Sequence, residues 1–135
     1  MITLVTGGSG SGKSEYAEGL ILDSSCSRRF YVATMIAYGK EGRDKVERHR
    51  MLRQGKGFIT IEKPRDVGRV MFEEHEAGSG ASSRAGRALL LECVSNLAAN
   101  EMFADSVEEL GNDAINRLAG KLAGDILSLA SRVRD

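Results

Sequence analysis

The stretch GGSGSGKS, from Gly7 to Ser14, decides the fold class of this chain. It follows the short apolar run MITLVT, which is typical of a strand, and precedes EYAEGLIL, which is typical of a helix. The spacing Gly7-x-x-x-x-Gly12-Lys13-Ser14 matches the P-loop, a phosphate-binding turn between a strand and a helix. Glycines let backbone amides approach an anion closely, and the amino end of the next helix faces the same anion.

The P-loop pattern predicts a role for each of its residues. We expect Lys13 to reach the β- and γ-phosphates of a nucleoside triphosphate, as a catalytic residue, and the Ser14 hydroxyl to bind Mg²⁺. The predicted nucleotide-binding residues of the loop are Gly7, Gly8, Ser9, Gly10, Ser11, Gly12, Lys13 and Ser14. The alternative is a turn that only links a strand to a helix. A P-loop alone does not separate kinases from GTPases and ATPases.

Length and composition favour one domain, residues 1–135, because 135 residues with 41% hydrophobic content can bury a real core. Nineteen basic and nineteen acidic residues cancel, which argues against nucleic acid as the main partner. No apolar stretch approaches the roughly 20 residues that span a bilayer, and the N-terminus does not resemble a signal peptide. Cys26 and Cys93 lack metal-ligand spacing, which favours reduced thiols in a cytoplasmic protein.

Strand-like and helix-like segments alternate along the chain. The predicted strands are 2–5, 30–35, 58–62 and 88–93. The predicted helices are 13–22, 43–54, 64–75, 96–102 and 107–133, the last with Ser106 as its N-cap. That last helix carries one apolar stripe, formed by Val107, Leu110, Ala114, Leu118, Leu122, Ile126, Leu129 and Val133. Residues 77–86, AGSGASSRAG, are predicted to be flexible. The alternation predicts an α/β fold with a parallel sheet covered by helices on both faces.

A second motif is the apolar run ALLLEC, in which Glu92 closes a predicted strand. In P-loop folds an acid at this place lies beside the loop and supports the Mg²⁺ shell. We therefore predict that Glu92 binds the metal and nucleotide together with Ser14. The alternative is an acid that only marks the polar end of a strand.

A third motif is VERHRMLRQ, where His49 lies among Arg48, Arg50 and Arg53 on a charged helix. His49 and Arg53 share a helix face. Arginine forks suit phosphate oxygens, nearby positive charge disfavours the imidazolium form, and a neutral imidazole is a nucleophile. From the residues alone, a solvated basic helix is favoured over a catalytic one. The second histidine, His75, lies among acids and is predicted to be a surface residue.

Taken together, these segments give the chain a resemblance to a known family. LVTGGSGSGKSEYAE, YVATM, ERHRMLR, FITIEKP and LLLECVSNL, in this order, resemble the bifunctional adenosylcobinamide kinase / adenosylcobinamide-phosphate guanylyltransferases of cobalamin assembly. The matching pieces extend from Ile2 to about Leu97. One departure is Gly10, where the family loop usually has an arginine.

The resemblance implies a two-step enzyme that uses ATP and GTP with Mg²⁺. A nucleoside triphosphate first phosphorylates adenosylcobinamide, a corrinoid, and GTP then transfers GMP to His49 before the GMP passes to the corrinoid phosphate. By resemblance, His49 is the catalytic acceptor of GMP, and the further nucleotide-binding residues are Arg50, Arg53, Glu62 and Glu92. The alternatives are a P-loop kinase that does not transfer guanylyl groups, a catalytically inactive nucleotide-binding fragment, and a nucleotide switch.

The resemblance also bears on the extent of the sheet. Members of that family continue beyond the long helix with further strands, whereas this chain ends at Asp135. We therefore expect a P-loop NTPase-like sheet that lacks its C-terminal strands. Residues 2–5 are predicted to lie at the centre of the sheet with one edge unpaired, and such an edge favours a homo-oligomer.

Overall fold

The computed structural model describes residues 1–76, 86–104 and 111–133. Its helices are α1 (Lys13–Leu22), α2 (Gly39–Arg53), α3 (Phe72–Glu76), α4 (Val94–Met102) and α5 (Asn112–Arg132), with a 3₁₀ turn, η1 (Val67–Arg69). Its strands are β1 (Arg28–Ala33), β2 (Phe58–Glu62) and β3 (Arg87–Glu92). Over these residues, no helix is both long enough and apolar enough to cross a membrane.

The three described strands form one parallel sheet in the order β2-β1-β3. Phe30 of the central strand stands beside Ile59 on one side and Leu89 on the other. The chain passes through α2 between β1 and β2, as parallel neighbours require. The predicted α/β class, with a parallel sheet and helices around it, is confirmed.

The two faces of the sheet have different compositions. Phe30 and Val32 point to one face and are fully buried with Phe72, Leu97 and Leu129, which come from α3, α4 and α5. Because side chains alternate along a strand, Tyr31 and Ala33 point to the opposite face. The face with Phe30 and Val32 packs into the hydrophobic core. The face with Tyr31 is directed towards α1 and α2 and carries polar groups.

The prediction of a central strand at residues 2–5 is wrong in this structure. Residues 1–8 form no strand, and the side chains of Ile2 and Leu4 are 58% and 78% exposed. The central strand is β1 instead. An apolar run predicts side chains that fit a pleated surface, but a strand exists only where a neighbour supplies hydrogen bonds, and sequence does not specify that neighbour.

The predicted helix at 64–75 is divided into η1 and α3. Asp66 has a left-handed backbone, with φ of 50°, and Val70 is extended, so a continuous helix cannot pass through either position. Helix α2 begins at Gly39, four residues before the predicted start. Helix α1 and strand β2 have the predicted bounds, and the remaining described boundaries differ by at most two residues, apart from the start of α5. Ser106, Val107, Leu110 and residues 77–85 lie outside the described residues.

Helix α5 is held over η1 by close contacts. The Arg132 guanidinium donates to the carbonyl oxygens of Gly68, at 2.6 Å, and Val70. Lys121 Nζ lies 2.9 Å from Asp66, 2.8 Å from Glu101 and 3.0 Å from Asp125. The apolar stripe of α5 faces inward, with Leu129 only 2% exposed. These contacts fix the layer that closes the hydrophobic core.

Replacing Gly68 with alanine should destabilise the fold. A Cβ at Gly68 would lie 3.1 Å from Asp125 Cα and 2.5 Å from its Oδ1, so η1 and α5 would have to separate. We expect the free energy of unfolding in urea to fall by about 1–3 kcal/mol, as for overpacked sites.

Gly120→Ala is the matched control for this measurement. Gly120 lies in α5 with nothing within 4 Å of an added Cβ. Because alanine favours a helix over glycine, Gly120→Ala should stabilise the protein by roughly 0.5–1 kcal/mol. Equal free energies of unfolding for the two variants would contradict the close packing of η1 on α5.

Candidate nucleotide-binding site

The glycine-rich loop lies open to solvent at the start of α1. Gly10 and Gly12 have left-handed backbones, with φ of 70° and 82°, which side chains with a Cβ rarely adopt. The helix begins at Lys13, directly after Gly12, as predicted. Lys13 Nζ donates to the Gly8 carbonyl at 3.1 Å. The loop thus brings flexible backbone, a lysine and a helix amino end together, which is the arrangement that suits an anion.

Ser14 and Glu92, which are far apart in sequence, lie in direct contact. The Ser14 hydroxyl donates to Glu92 Oε1 at 2.5 Å, from the first turn of α1 to the end of β3. Both groups offer oxygen atoms, which are the ligands that Mg²⁺ prefers. The residues present therefore fit a magnesium ion beside the P-loop.

A tyrosine that the sequence analysis did not select completes this contact. Tyr31, on β1, is 3% exposed, and its hydroxyl donates to Glu92 Oε2. Both oxygens of the Glu92 carboxylate therefore accept a hydrogen bond. Burial raises the pKa of the Tyr31 phenol well above its ordinary value, and the hydrogen bond and negative charge of Glu92 act in the same direction against the opposing charge of Arg53.

Arg53, at the end of α2, is buried on the face of the Tyr31 ring. Its guanidinium carbon lies 3.6 Å from the ring centroid, and the residue is 7% exposed. Among the described residues, its Nε has no hydrogen-bond partner and no carboxylate pairs with the side chain. A buried cation without a counter-charge is costly, so this guanidinium retains the capacity to bind an anion.

The remaining predicted residues of α2 have different environments. His49 is half-buried and lies one helical turn before Arg53 on the same helix face. Arg50 is exposed and pairs with the carboxylate of Glu62, at the end of β2, and more weakly with Glu47 at 3.6 Å. The structure thus brings together Ser14 with Glu92, and Arg50 with Glu62.

Buried polar residues next to the site fix the end of β3. Thr34 is fully buried; its hydroxyl donates to the Cys93 carbonyl and accepts from the Cys93 amide, both at 2.8 Å. The Asn100 side chain donates to the Thr34 carbonyl at 2.7 Å. Glu92 directly precedes Cys93, so these bonds set where its carboxylate projects. The sequence contained one signal that could have identified Tyr31 and Thr34: both carry a hydroxyl group inside an apolar, strand-like segment. Such a group needs a hydrogen-bond partner when it is buried.

A second group of acids lies away from the P-loop. Carboxylate oxygens of Asp66, Glu101 and Asp125 come within 4.8 Å of one another, a spacing that could hold a metal ion. Lys121 Nζ already contacts all three. Its charge lowers the pKa of Asp66, mainly through their hydrogen bond. The Lys121 ammonium group therefore lies where a metal ion would bind, and we assign this cluster a structural role.

The raised pKa of Tyr31 predicts a loss of stability at high pH. A group whose pKa is higher in the folded state contributes fully below its unfolded pKa, near 10, and loses that contribution as the pH rises. We expect the free energy of unfolding of the unmodified chain to fall, relative to Tyr31→Phe, by about 1.4 kcal/mol per pH unit above about 10.

Tyr38→Phe serves as the control for the pH series, because Tyr38 is 77% exposed. Its stability should follow that of the unmodified chain at every pH. The free energy of unfolding is measured in urea between pH 8 and pH 11, about one unit above the ordinary tyrosine pKa. If it changes with pH equally in the unmodified chain and in Tyr31→Phe, a buried, protonated Tyr31 is contradicted.

Comparison with known proteins assigns the chain to a family. The family model described as "Cobinamide kinase / cobinamide phosphate guanyltransferase" matches residues 3–132. The chain is similar to the bifunctional adenosylcobalamin biosynthesis protein CobU of Escherichia coli K12, with 34% identity over 76% of this chain and 51% of that protein. It is also similar to the bifunctional adenosylcobalamin biosynthesis protein CobP of Pseudomonas aeruginosa, with 28% identity over 97% of this chain and 71% of that protein.

The chain thus spans about half the length of the first of these curated relatives. No solved structure gives a significant match. Because the family model covers nearly all of the sequence, from the strand-like run before the P-loop to the end of α5, the chain belongs to the cobinamide kinase / cobinamide phosphate guanyltransferase family.

Proposed function

We propose that this chain is a nucleotide-dependent transferase that phosphorylates adenosylcobinamide and transfers GMP to the product through His49. One chain of contacts carries the proposal: Ser14 of the P-loop donates to Glu92, Glu92 also accepts from Tyr31, and the Tyr31 ring supports Arg53, a buried guanidinium that pairs with no described carboxylate. Family membership and the names of the two relatives support kinase and guanylyltransferase chemistry in cobalamin biosynthesis.

In the kinase step, the substrate hydroxyl oxygen attacks the γ-phosphorus of ATP or GTP. A new phosphorus–oxygen bond forms, the bond to the β-phosphate oxygen breaks, and the hydroxyl proton passes to solvent as the nucleoside diphosphate leaves. Lys13 and the loop amides hold the β- and γ-phosphates and stabilise the charge on them. Mg²⁺, held by Ser14 and Glu92, supplies further positive charge when bound.

In the guanylyl step, an unprotonated nitrogen of His49 attacks the α-phosphorus of GTP. The nitrogen–phosphorus bond forms as pyrophosphate leaves, and the second ring nitrogen releases its proton. A phosphate oxygen of the corrinoid phosphate then attacks the same phosphorus, the nitrogen–phosphorus bond breaks, and the ring takes up a proton from solvent as it leaves, which restores His49. Arg53 stabilises charge on the phosphates, and Arg50 contributes once it exchanges Glu62 for a phosphate. Covalent catalysis divides a difficult transfer into two displacements.

Removing His49 should abolish covalent labelling by α-³²P-GTP while leaving non-covalent binding intact. The label should be acid-labile and stable to base, as expected of a phosphoramidate.

Lys13→Ala should instead weaken GTP binding by more than tenfold, a loss of about 1.4 kcal/mol, measured by calorimetric titration.

His75→Ala is the matched control, since the chain has two histidines and His75 is exposed. Its labelling should equal that of the unmodified chain. Label that persists on His49→Ala would contradict guanylyl transfer through this residue. A chain that binds GTP and phosphorylates the corrinoid without ever being labelled would indicate a kinase alone.

We also propose that the chain is a cytoplasmic homo-oligomer. Ile2 and Leu4 are exposed apolar residues, and β3 pairs on only one side within the described residues. Apolar groups and open strand edges favour association. We expect light scattering on the purified chain to give a mass above 14.6 kDa, and Leu4→Lys to lower it. A monomer at low micromolar concentration with a cooperative melt would refute this part of the proposal.

A further inference from the structure

We infer that Tyr31 is a positioning residue that holds two parts of the nucleotide site at once: its hydroxyl orients Glu92 beside Ser14, and its ring orients Arg53 towards the phosphates. This inference rests on the proposed function, because both parts act on a bound nucleoside triphosphate. Tyr31 begins the segment YVATM, but the sequence alone assigned it no role in the site.

The position of Tyr31 in the sheet explains why it can reach both groups. It lies on the central strand β1, in register with Leu90 of β3 and Thr60 of β2. Glu92 is two residues after Leu90, so it projects from the same face as Tyr31, at the carboxyl end of the strand. The Phe58 ring meets the Tyr31 ring edge-on, with centroids 6.3 Å apart. The tyrosine is thus fixed by its strand and by a neighbouring ring.

The hydroxyl group determines the geometry of the metal-binding pair. The Tyr31 hydroxyl donates to the carboxylate, so Glu92 Oε2 is held by Tyr31 while Oε1 accepts from Ser14. The Ser14 hydroxyl donates its hydrogen bond to Glu92, so the lone pairs of the Ser14 oxygen are not used in this contact. Without the phenol, the carboxylate would lose one of its two fixed contacts and could rotate away from Ser14.

The ring has a separate effect on Arg53. An acidic neighbour would hold the guanidinium but would neutralise it. The face of an aromatic ring attracts a cation through its quadrupole and leaves the full positive charge in place. Arg53 is 7% exposed, lies 3.6 Å from the ring centroid and has an Nε without a hydrogen-bond partner among the described residues. The ring therefore keeps a buried cation in position and available to a phosphate.

These two effects can be separated with two substitutions. Tyr31→Phe keeps the ring and removes only the hydroxyl, so it should change the contribution of Mg²⁺ to nucleotide binding. Tyr31→Leu removes both, so it should also weaken binding without Mg²⁺. The probe is GTP, titrated by calorimetry into the full chain with Mg²⁺ and, separately, with EDTA.

For Tyr31→Phe we expect the gain in GTP affinity on adding Mg²⁺ to fall by about tenfold, the scale of one hydrogen bond to a charged group. Its affinity in EDTA should remain within about twofold of the unmodified chain. For Tyr31→Leu, the affinity in EDTA should fall by about fivefold, the scale of one cation–π contact. Tyr38→Phe, at an exposed tyrosine, should leave both affinities unchanged.

A purely structural tyrosine would lower both affinities together, so equal losses with Mg²⁺ and with EDTA in Tyr31→Phe would overturn the inference. An unchanged Mg²⁺ gain in that variant would do the same. A double variant with Glu92→Gln adds a second criterion: the Tyr31→Phe effect on the Mg²⁺ gain should vanish when Glu92 is already altered, and additive effects would count against the inference.

The outcomes distinguish this inference from the proposed function. An unmodified chain that binds no GTP would contradict the P-loop assignment and the role of Tyr31 together. An unmodified chain that binds GTP and is labelled at His49, with Tyr31→Phe unchanged, would overturn only the role of Tyr31. If Tyr31→Leu fails to fold in a thermal melt, Tyr31→Phe still decides the role of the hydroxyl, because it differs from the unmodified chain by a single oxygen atom. Arg53→Gln, titrated in EDTA, then tests the cation that the ring holds: an affinity for GTP equal to that of the unmodified chain would overturn the role of the ring.

Discussion

The rest of the site depends on the two hydrogen bonds that the Glu92 carboxylate accepts. It accepts hydrogen bonds from Ser14 at the start of α1 and from Tyr31 on the central strand, and it is itself carried by β3. Three elements therefore meet at one side chain. Thr34 and Asn100 fix the backbone just beyond it, so the carboxylate is held from both directions. A P-loop without this partner would be an exposed turn rather than one wall of a site.

Lys121 and Arg53 illustrate how charge can serve structure in one place and a candidate site in another. Lys121 is surrounded by three carboxylates and joins α5 to η1 and α4, so its charge is used within the protein. Arg53 lies against an aromatic ring, and no described carboxylate pairs with it. Since an unpaired buried charge is costly, its retention is more easily explained by a ligand than by stability. The same reasoning places the candidate site on the Tyr31 face of the sheet.

The Tyr31 face of the sheet is available for a site because successive side chains along each strand point to opposite faces. Phe30 and Val32 enter the core with Phe72, Leu97 and Leu129, and α3, α4 and α5 cover them. Tyr31, Ala33 and Glu92 point the other way, towards α1 and α2, which carry the P-loop residues and His49. One face supplies the buried apolar core, and the other supplies the polar groups of the candidate site. The family match, over residues 3–132, includes both of these helices and all three described strands.

The sequence by itself determined the P-loop, the start of α1, the bounds of β2 and the α/β class, because glycine spacing and apolar periodicity are local properties. It predicted Glu92 as a partner of Ser14 from the position of an acid at a strand end. Only the tertiary structure decided that residues 2–5 remain outside the sheet, that Asp66 interrupts a predicted helix, and that Tyr31 connects Glu92 to Arg53. The reason is physical: strand pairing, stacking and buried hydrogen bonds join residues that are distant in sequence, and no local pattern of residue types specifies which partners will meet.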